Sequence, residues 1–188
     1  MDKALFLDRD GIINKEKNYV YRIEDFEFIT GIFDLCLRAR ELGFRLFVIT
    51  NQAGIARGYY TTADYEILTA WMLDEFSSHD IHIERVYYCP FHPTAGIGKY
   101  KRDSIDRKPN PGMILQAKKA FNLDLTGSVL IGDKDSDIKA GQAGGVGYNV
   151  LLTPDMAGTG FPGALRFNSL AGVTAWFTRT FSHDDRHA

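Results

Sequence analysis

Two carboxylates near the start of the chain are the residues best placed to do chemistry. Asp8 follows the apolar run at 4–7, and Asp10 stands two positions later, before Gly11. An apolar run bounded by a glycine predicts a short buried strand, with both carboxylates at its carboxyl end and on one side of the pleat. Neighbouring carboxylates repel each other unless a cation neutralises them, and hard oxygen ligands suit Mg²⁺. The alternative for so short a pattern is an acidic turn that caps an edge strand.

Polar residues also end other predicted strands. Three later apolar runs are followed by such residues: 45–50 ends at Thr50 and Asn51, 84–88 at Cys89, and 128–131 at Asp133. Helical periodicity is found at 31–42, 61–76, 113–121, 135–143 and 169–181, and a fifth strand is predicted at 147–152. Alternating strands and helices predict an α/β fold with a mainly parallel sheet and helices on both faces. The ligand site of such a sheet lies beyond the carboxyl ends of its strands, where these polar residues are expected to meet.

The converging residues suit phosphoryl transfer. The carboxylate of Asp8 can attack phosphorus to form an aspartyl phosphate, while Asp10 can protonate the leaving oxygen and later activate water. A magnesium ion held by Asp8 and Asp133 would neutralise the nucleophile and the phosphate together. Thr50 offers a hydroxyl, and Lys108 a fixed positive charge, to the oxygens of the transferring group. Together these side chains favour phosphoryl transfer over acyl or hydride transfer.

Four segments resemble the motifs of the haloacid dehalogenase superfamily, in the same order along the chain. They are DRDG at 8–11, VITN at 48–51, RKPNPG at 107–112 and GDKDSD at 132–137. The resemblance implies a phosphatase with a Rossmann-like fold, in which Asp8 is the nucleophile and Asp10 the acid/base. It further implies that Thr50 and Lys108 stabilise the phosphoryl group. The implied magnesium ligands are Asp8, Asp133 and the backbone carbonyl of Asp10.

Longer segments resemble one branch of this superfamily, the phosphatases that act on D-glycero-D-manno-heptose 1,7-bisphosphate. The segments are DRDGIIN at 8–14, NYV at 18–20, TNQAGIARG at 50–58, YYCP at 87–90, RKPNPGM at 107–113 and GDK at 132–134. The resemblance implies removal of the 7-phosphate in nucleotide-heptose synthesis for bacterial lipopolysaccharide. The substrate contacts implied by position are Glu16, Lys17, Asn18, Tyr19, Thr50, Asn51, Gln52, Ala53, Arg107, Lys108 and Lys134. Arg107 suits a distal phosphate because a guanidinium can bind it bidentately; an ordinary solvated loop is the alternative for Glu16 and Lys17.

The segment at 90–109 lacks clear periodicity and is predicted to be a long functional loop. In the branch that the chain resembles, this loop commonly binds structural zinc through C-P-x-H-type and C-x-C elements. The chain keeps Cys89, but Phe91 stands at the His position and Ser104-Ile105-Asp106 replaces the C-x-C element. Structural zinc requires four ligands, so we expect a loop without zinc, ordered by inward packing of Tyr100 or Phe91. The alternative is a set of three ligands: Cys89, His92 and Asp106.

Composition and charge limit the remaining possibilities. The chain has 188 residues and a formal net charge of −2, which favours one domain over 1–188 and gives no electrostatic reason to expect nucleic acid or an anionic membrane. No apolar run approaches the roughly 20 residues that span a bilayer. Cys36 and Cys89 are expected to be reduced thiols of a cytoplasmic monomer, and 182–188 is expected to be a polar tail. The loops expected to cover the site in place of a cap domain are 15–21, 53–58 and 90–107.

Two other functions fit part of the pattern. A histidinol-phosphate phosphatase of the same superfamily shares segments like DRDG and ITNQ, but GIARG at 54–58 and RKPNPGM at 107–113 favour the heptose branch. A non-catalytic phosphosugar-binding protein would not need a nucleophile, so the presence of Asp8 argues against that function.

Overall fold

The computed structural model describes residues 1–156 and 161–182, in which six strands form one parallel sheet. The strands are β1 (Asp2–Leu7), β2 (Arg45–Asn51), β3 (Ile83–Cys89), β4 (Leu123–Gly132), β5 (Tyr148–Leu152) and β6 (Ala164–Phe167). The helices are α1 (Ile32–Glu41), α2 (Ala53–Arg57), α3 (Thr62–Ser78), α4 (Gly112–Phe121), α5 (Asp135–Gly144) and α6 (Leu170–Phe181). All neighbouring strands run parallel.

The strand order is β3-β2-β1-β4-β5-β6, and the point at which the chain changes from one side of β1 to the other lies between β1 and β4. The chain first builds outward from β1 to β3 and then continues with β4 on the opposite side of β1. The backbone N–H of Asp8 donates to the carbonyl of Ile131 at 3.0 Å, so the ends of β1 and β4 lie side by side. Ligands of open parallel sheets bind where the strand order reverses. Asp8 and Asp133, which follow these two strands, therefore stand at the expected place.

Alternate residues of β1 are buried in two different cores. Leu5 and Leu7 pack in a core with residues of α1, α3 and α6, whereas Ala4 and Phe6 pack in a core with residues of α4 and α5. All four side chains are fully buried. Burying a large apolar side chain contributes roughly 1.5–3 kcal/mol, and β1 does so on both of its faces. The predicted α/β fold with helices on both faces of a parallel sheet is confirmed.

Three elements differ from the prediction. The segment at 53–58 was expected to be a loop but contains α2, whose five residues are too few to show a helical period. The edge strand β6 was not predicted, because its four residues are only half-buried and lack a marked apolar run. Strand β4 begins at Leu123 rather than at residue 128, because a register shift between Lys3 and Leu5 lets its extra residues pair with β1.

The start of α3 is fixed by two side chains close to the candidate site. The hydroxyl of Thr61 accepts a hydrogen bond from the backbone N–H of Asp64 at 3.1 Å, and the carboxylate of Asp64 accepts one from the N–H of Thr61 at 2.8 Å. Such a reciprocal cap contributes about 1 kcal/mol to a helix. It also fixes the backbone directly after Tyr60, a residue of the cleft described below.

No helix within residues 1–156 and 161–182 is both long and apolar enough to cross a membrane. The predicted tail at 182–188 lies, apart from Ser182, outside the described residues. The assignment of 1–188 to one domain stays a prediction.

Candidate active site

The ammonium of Lys108 lies at the centre of the candidate site. Lys108 is 3% exposed, and its Nζ lies 2.8 Å from Oδ1 of Asp8 and 2.7 Å from Oδ1 of Asp137. The same nitrogen donates to the carbonyl of Ile49 at 2.9 Å. Burial disfavours the charged form, but Asp137 and Asp8 outweigh it and raise the pKa of Lys108 above its usual value. The structure thus places a fixed positive charge beside Asp8.

Asn51 attaches the backbone of Lys108 to the end of β2. The side-chain amide of Asn51 donates to the carbonyl of Lys108 at 3.0 Å, and its Oδ1 accepts from the N–H of Lys108 at 3.0 Å. Because both hydrogen bonds are to the backbone, the amide fixes the loop before α4 without using its charged side chain. The predicted phosphate-binding elements at 48–51 and 107–112 are brought together in this way.

Three carboxylates form a potential metal site at the same edge of the sheet. One oxygen each of Asp8, Asp133 and Asp137 lie within 4.8 Å of one another, and within residues 1–156 and 161–182 no other group of three or more such ligands is found. Oδ1 of Asp133 is buried and has no hydrogen-bond partner among these residues, as expected of an oxygen that binds a cation. Burial raises the pKa of Asp8 to about 7 and that of Asp133 to about 6, so a bound divalent cation would favour the ionised form of both. A set of oxygen donors alone fits Mg²⁺.

Asp137 is a member of this site that the sequence analysis missed. It is buried, and its Oδ2 accepts the backbone N–H of Lys134 at 3.0 Å, at the start of α5. A Cβ on Gly132 would lie 2.2 Å from the Cβ of Asp137, so only glycine leaves room for this carboxylate beside the end of β4. The GDKDSD segment carries a signal, since Asp137 lies in the first turn of the helix that follows Asp133. Of the aspartates in this segment, only Asp133 was predicted to bind the metal.

Asp10 lies outside this carboxylate cluster and is held by neutral and basic side chains. Arg9 donates to both of its oxygens, from Nη2 at 2.9 Å and from Nε at 3.2 Å. The side-chain amides of Asn14 and Gln52 donate to it at 3.0 and 3.2 Å. The amide of Gln52 also donates to the hydroxyl of Thr50 at 2.8 Å, which joins two predicted catalytic residues through one side chain. The magnesium ligand predicted from Asp10 is its backbone carbonyl, and that assignment stays a prediction.

A cleft of about 600 Å³ is lined by Asp8, Asp137 and Lys108 but not by Asp133, although its carboxylate lies close to those of Asp8 and Asp137. The predicted site residues that line it are Asp8, Asp10, Glu16, Asn18, Tyr19, Asn51, Gln52, Ala53, Arg107, Lys108 and Lys134. Lys17 does not line it, because its ammonium lies 3.3 Å from a carboxylate oxygen of Glu27. Thr50 is buried and does not line it either. Tyr60 and Ser136 line the cleft without having been predicted. Ser136 falls within the GDKDSD segment, whereas no sequence pattern indicated Tyr60.

An ion pair joins two loops at the rim of the cleft. Nζ of Lys134, which follows β4, lies 3.1 Å from Oε2 of Glu16 in the loop after β1. The backbone N–H of Asn18 donates to the other carboxylate oxygen of Glu16 at 3.0 Å. Both predicted substrate contacts are exposed, so their mutual attraction is weak and open to competition by a charged ligand.

The loop at 90–109 is ordered by packing and backbone hydrogen bonds. Tyr100 packs against the apolar cluster around Tyr60 and Tyr65, as predicted for one of its two aromatic residues. The N–H of Ile97 donates to the carbonyl of Ala56 in α2 at 2.8 Å. The guanidinium of Arg107 donates to the carbonyl of Phe91 at 3.1 Å, while that of Arg102 lies 3.8 Å from the centre of the Phe91 ring.

The possible zinc ligands of this loop have other partners. Nδ1 of His92 accepts the backbone N–H of Ala95 at 3.0 Å, and Oδ1 of Asp106 accepts the amide of Gln116 at 2.6 Å. The Cys89 thiol is buried, which raises its pKa and disfavours the thiolate that zinc binds. The expectation of a zinc-free loop stays a prediction.

A parallel sheet with carboxylates after β1 and β4, and a buried lysine between them, defines a hydrolase of the haloacid dehalogenase class. The model of the family described as HAD-hydrolase-like matches residues 105–153. A relative from Burkholderia mallei, named D-glycero-alpha-D-manno-heptose-1,7-bisphosphate 7-phosphatase, is 53% identical over 151 residues, 80% of each chain. A relative from Escherichia coli K12, named for the beta anomer, is 43% identical over 79% of this chain and 78% of its own.

A solved structure indicates the same family as these relatives. The D,D-heptose 1,7-bisphosphate phosphatase from B. bronchiseptica, complexed with magnesium and phosphate, superposes with a TM-score of 0.82 at 25% identity, covering 95% of this chain and 99% of its own. The chain belongs to the family of the D-glycero-D-manno-heptose-1,7-bisphosphate 7-phosphatases, phosphate-ester hydrolases of the haloacid dehalogenase superfamily. The predicted resemblance and the Rossmann-like fold class are confirmed.

Proposed function

We propose that this chain removes the 7-phosphate of D-glycero-D-manno-heptose 1,7-bisphosphate through an aspartyl phosphate on Asp8, with Mg²⁺ as cofactor. The position of the Asp8 carboxylate is the observation that supports this proposal most directly. The carboxylate lines the cleft 2.8 Å from the buried ammonium of Lys108, and one of its oxygens lies within 4.8 Å of oxygens of two further carboxylates. A binding protein would have no use for a nucleophile held at such a desolvation cost.

In the first step the Asp8 carboxylate attacks the phosphorus of the 7-phosphate. The bond between phosphorus and the sugar oxygen breaks, its electron pair stays on that oxygen, and Asp10 supplies the proton that oxygen needs. The positive charge of Lys108 lies beside the attacking carboxylate and stabilises the charge that develops on the phosphoryl oxygens. The resemblance assigns the same role to the hydroxyl of Thr50, but in this structure Thr50 is buried behind Gln52 and does not line the cleft.

In the second step Asp10, now a carboxylate, takes a proton from water. The water oxygen bonds to phosphorus and the bond to Asp8 breaks, which returns Asp8 as a carboxylate and releases inorganic phosphate. Asp10 is suited to both steps because it lines the cleft beside Asp8 while its carboxylate is held apart from the metal-ligand cluster.

Asp8 and Asp133, with Asp137 beside them, would hold the magnesium ion. When bound, the ion would neutralise the nucleophile and the phosphate together. The solved relative complexed with magnesium and phosphate supports this assignment.

Arg107 is the residue proposed to bind the distal 1-phosphate. It lines the cleft, and none of the described carboxylates lies within ion-pairing distance of its guanidinium. Burial and the nearby Arg57 lower the pKa of Arg107, so a bound dianion would relieve an unfavourable charge environment. An enzyme of this kind would serve nucleotide-heptose synthesis in the cytoplasm, acting as a monomer on a small sugar bisphosphate.

Comparing substrates tests the proposal against its nearest rival. We expect kcat/KM for phosphate release in the presence of Mg²⁺ to be much higher on heptose bisphosphate than on histidinol phosphate. Both anomers are assayed, because the relatives are named for different ones. A preference for histidinol phosphate would overturn the substrate assignment. Zinc analysis of the same preparation tests the loop at 90–109, where stoichiometric zinc would contradict our expectation.

A further inference from the structure

The carboxylate of Asp10 is held by a network of buried side chains that extends beyond the cleft. We propose that Arg9, Gln52 and Tyr60 are positioning residues, which fix Asp10 in the orientation that delivers its proton to the sugar oxygen. The inference rests on the proposed role of Asp10 as the acid/base of the reaction. None of the three residues needs to touch the substrate for this purpose.

Arg9 fixes both the position and the plane of the Asp10 carboxylate. Its side chain is 1% exposed, and its two nitrogens bind the two oxygens of Asp10 as a fork. Nη2 also donates to the carbonyl of Val20 at 2.6 Å, so the guanidinium is fixed to the loop that follows β1. Asp10 is the only carboxylate of residues 1–156 and 161–182 in an ion pair with Arg9. A planar fork restrains rotation of a carboxylate in a way that a single ammonium does not.

Gln52 donates to Oδ2 of Asp10, the oxygen that also accepts from Nε of Arg9, and Tyr60 determines which way the amide of Gln52 points. The hydroxyl of Tyr60 donates to Oε1 of Gln52 at 2.5 Å. The amide nitrogen of Gln52 must then face away from Tyr60, where it donates to Asp10 at 3.2 Å and to Thr50 at 2.8 Å. Without the hydroxyl of Tyr60, the amide of Gln52 could turn over and present an oxygen to the Asp10 carboxylate.

Tyr60 itself is fixed on two sides. A Cβ on Gly54 would lie 2.0 Å from its ring, so the backbone of α2 approaches the ring closely. The ring of Tyr21 stacks on it, with centroids 5.1 Å apart and planes 9° from parallel. Tyr60 is 6% exposed. Its hydroxyl is therefore held in place by packing that is independent of Asp10.

Misplacing a general acid has a consequence that simple destabilisation does not have. A sugar alkoxide is a poor leaving group and needs the proton of Asp10, whereas p-nitrophenolate leaves without one. General acid–base catalysis contributes roughly 10²–10⁴-fold, and in the first step a displaced carboxylate loses part of that factor only where the leaving oxygen needs the proton. The second step, in which Asp10 activates water, is the same for both substrates. The comparison therefore uses kcat/KM, which includes only the steps up to release of the leaving group. Loss of folded protein, in contrast, lowers both activities equally.

The test compares Tyr60→Phe with wild type on heptose bisphosphate and on p-nitrophenyl phosphate, at saturating Mg²⁺. We expect kcat/KM on the sugar phosphate to fall about tenfold, and kcat/KM on the aryl phosphate to fall by no more than about twofold. Arg9→Lys, which keeps the charge but loses the fork, should show the same pattern more strongly. The matched control is Tyr65→Phe, which removes a buried hydroxyl from the same aromatic cluster without touching Gln52, and which should leave both activities unchanged.

The outcomes separate the inference from the proposed function. Equal losses of kcat/KM on both substrates in Tyr60→Phe, or no loss on either, would overturn the positioning role while leaving the phosphatase assignment intact. A wild-type protein that releases phosphate from neither substrate would overturn the proposed function, and with it the role of Asp10. If Arg9→Lys does not fold, Tyr60→Phe alone decides, because it keeps the ring that packs against Gly54.

Discussion

Lys108 depends on two carboxylates, and only one of them is the nucleophile. Asp137 lies 2.7 Å from its Nζ, and all three side chains are buried. A buried ammonium with one carboxylate is more costly than one with two, because less of the lost hydration is replaced. Asp137 therefore keeps Lys108 charged and close to Asp8 without taking part in bond making.

Replacing Asp137 by Asn tests that dependence. We expect kcat/KM to fall by about 10- to 100-fold, the range typical of groups that orient the ligands of a metal site. The free energy of unfolding should fall by about 1–3 kcal/mol, because the variant removes one partner of a buried charge. Steady-state kinetics and urea unfolding measure the two effects. Asp135→Asn, an exposed aspartate on the same helix, is the matched control; equal behaviour of the two variants would contradict the role of Asp137.

The raised pKa values of Asp8 and Asp133 predict how pH and Mg²⁺ act together. The folded chain holds protons on both groups that the unfolded chain releases, so metal-free protein should lose stability as the pH rises from about 4 toward 7. Binding of Mg²⁺ requires both carboxylates to be ionised, so protons compete with the metal. The increase in melting temperature on adding Mg²⁺ should therefore be small at about pH 5 and larger at about pH 8.

Differential scanning fluorimetry over that pH range measures this effect. Asp133→Asn should respond little to Mg²⁺ at any pH, because it lacks one of the proposed ligands. A wild-type response as large in acid as in base would contradict the assignment of the cluster as the metal site.

At the scale of elements, the site depends on how closely the loop after β1 approaches the end of β4. Gly11 has a φ of +94°, and a Cβ there would lie 2.3 Å from Oδ2 of Asp133. The glycine after the D-x-D pair thus serves a second element, because its missing side chain leaves room for a carboxylate of the neighbouring strand. Metal binding is expected to fail if that space is filled.

Gly11→Ala should therefore reduce the stabilisation by Mg²⁺ strongly, since the methyl group displaces Asp133. The matched control is Gly43→Ala, where φ is +79° but no atom lies within 4 Å of the added Cβ. Both variants carry the strain of a positive φ, roughly 1–2 kcal/mol, so the difference between them isolates the contact with Asp133. Isothermal titration with Mg²⁺ measures it, and equal affinities in the two variants would contradict the close-approach argument.

For the whole molecule, the sequence predicted the architecture and the chemical residues adjacent to strand ends. Asp8 and Asp133 directly follow apolar runs or their closing glycine, so the parallel sheet alone brings them together. Contacts between side chains that are distant in the sequence could not be predicted from the pattern of strands and helices. The partnership of Asp137 with Lys108 and the contact of Tyr60 with Gln52 depend on side-chain direction across different elements.

The loop after β1 shows the same limit. Residues 16–19 were predicted from the resemblance to contact the substrate, but backbone direction decides which of them face the cleft. Asn18 and Tyr19 adopt positive φ values of 58° and 67°, and Lys17 lies against Glu27 instead. Such left-handed turns of non-glycine residues are not visible in a pattern of hydrophobic and polar residues.

The central claim is that Asp8 carries the phosphoryl group during turnover. The measurement that tests it most directly is acid quenching of wild type and Asp8→Asn during turnover of heptose bisphosphate with Mg²⁺, followed by mass spectrometry of the peptide that contains residue 8. We expect a phosphoryl group on that peptide in wild type, and neither that adduct nor phosphate release in Asp8→Asn, because an amide is a poor nucleophile. Phosphate release by Asp8→Asn at the wild-type rate would contradict the account.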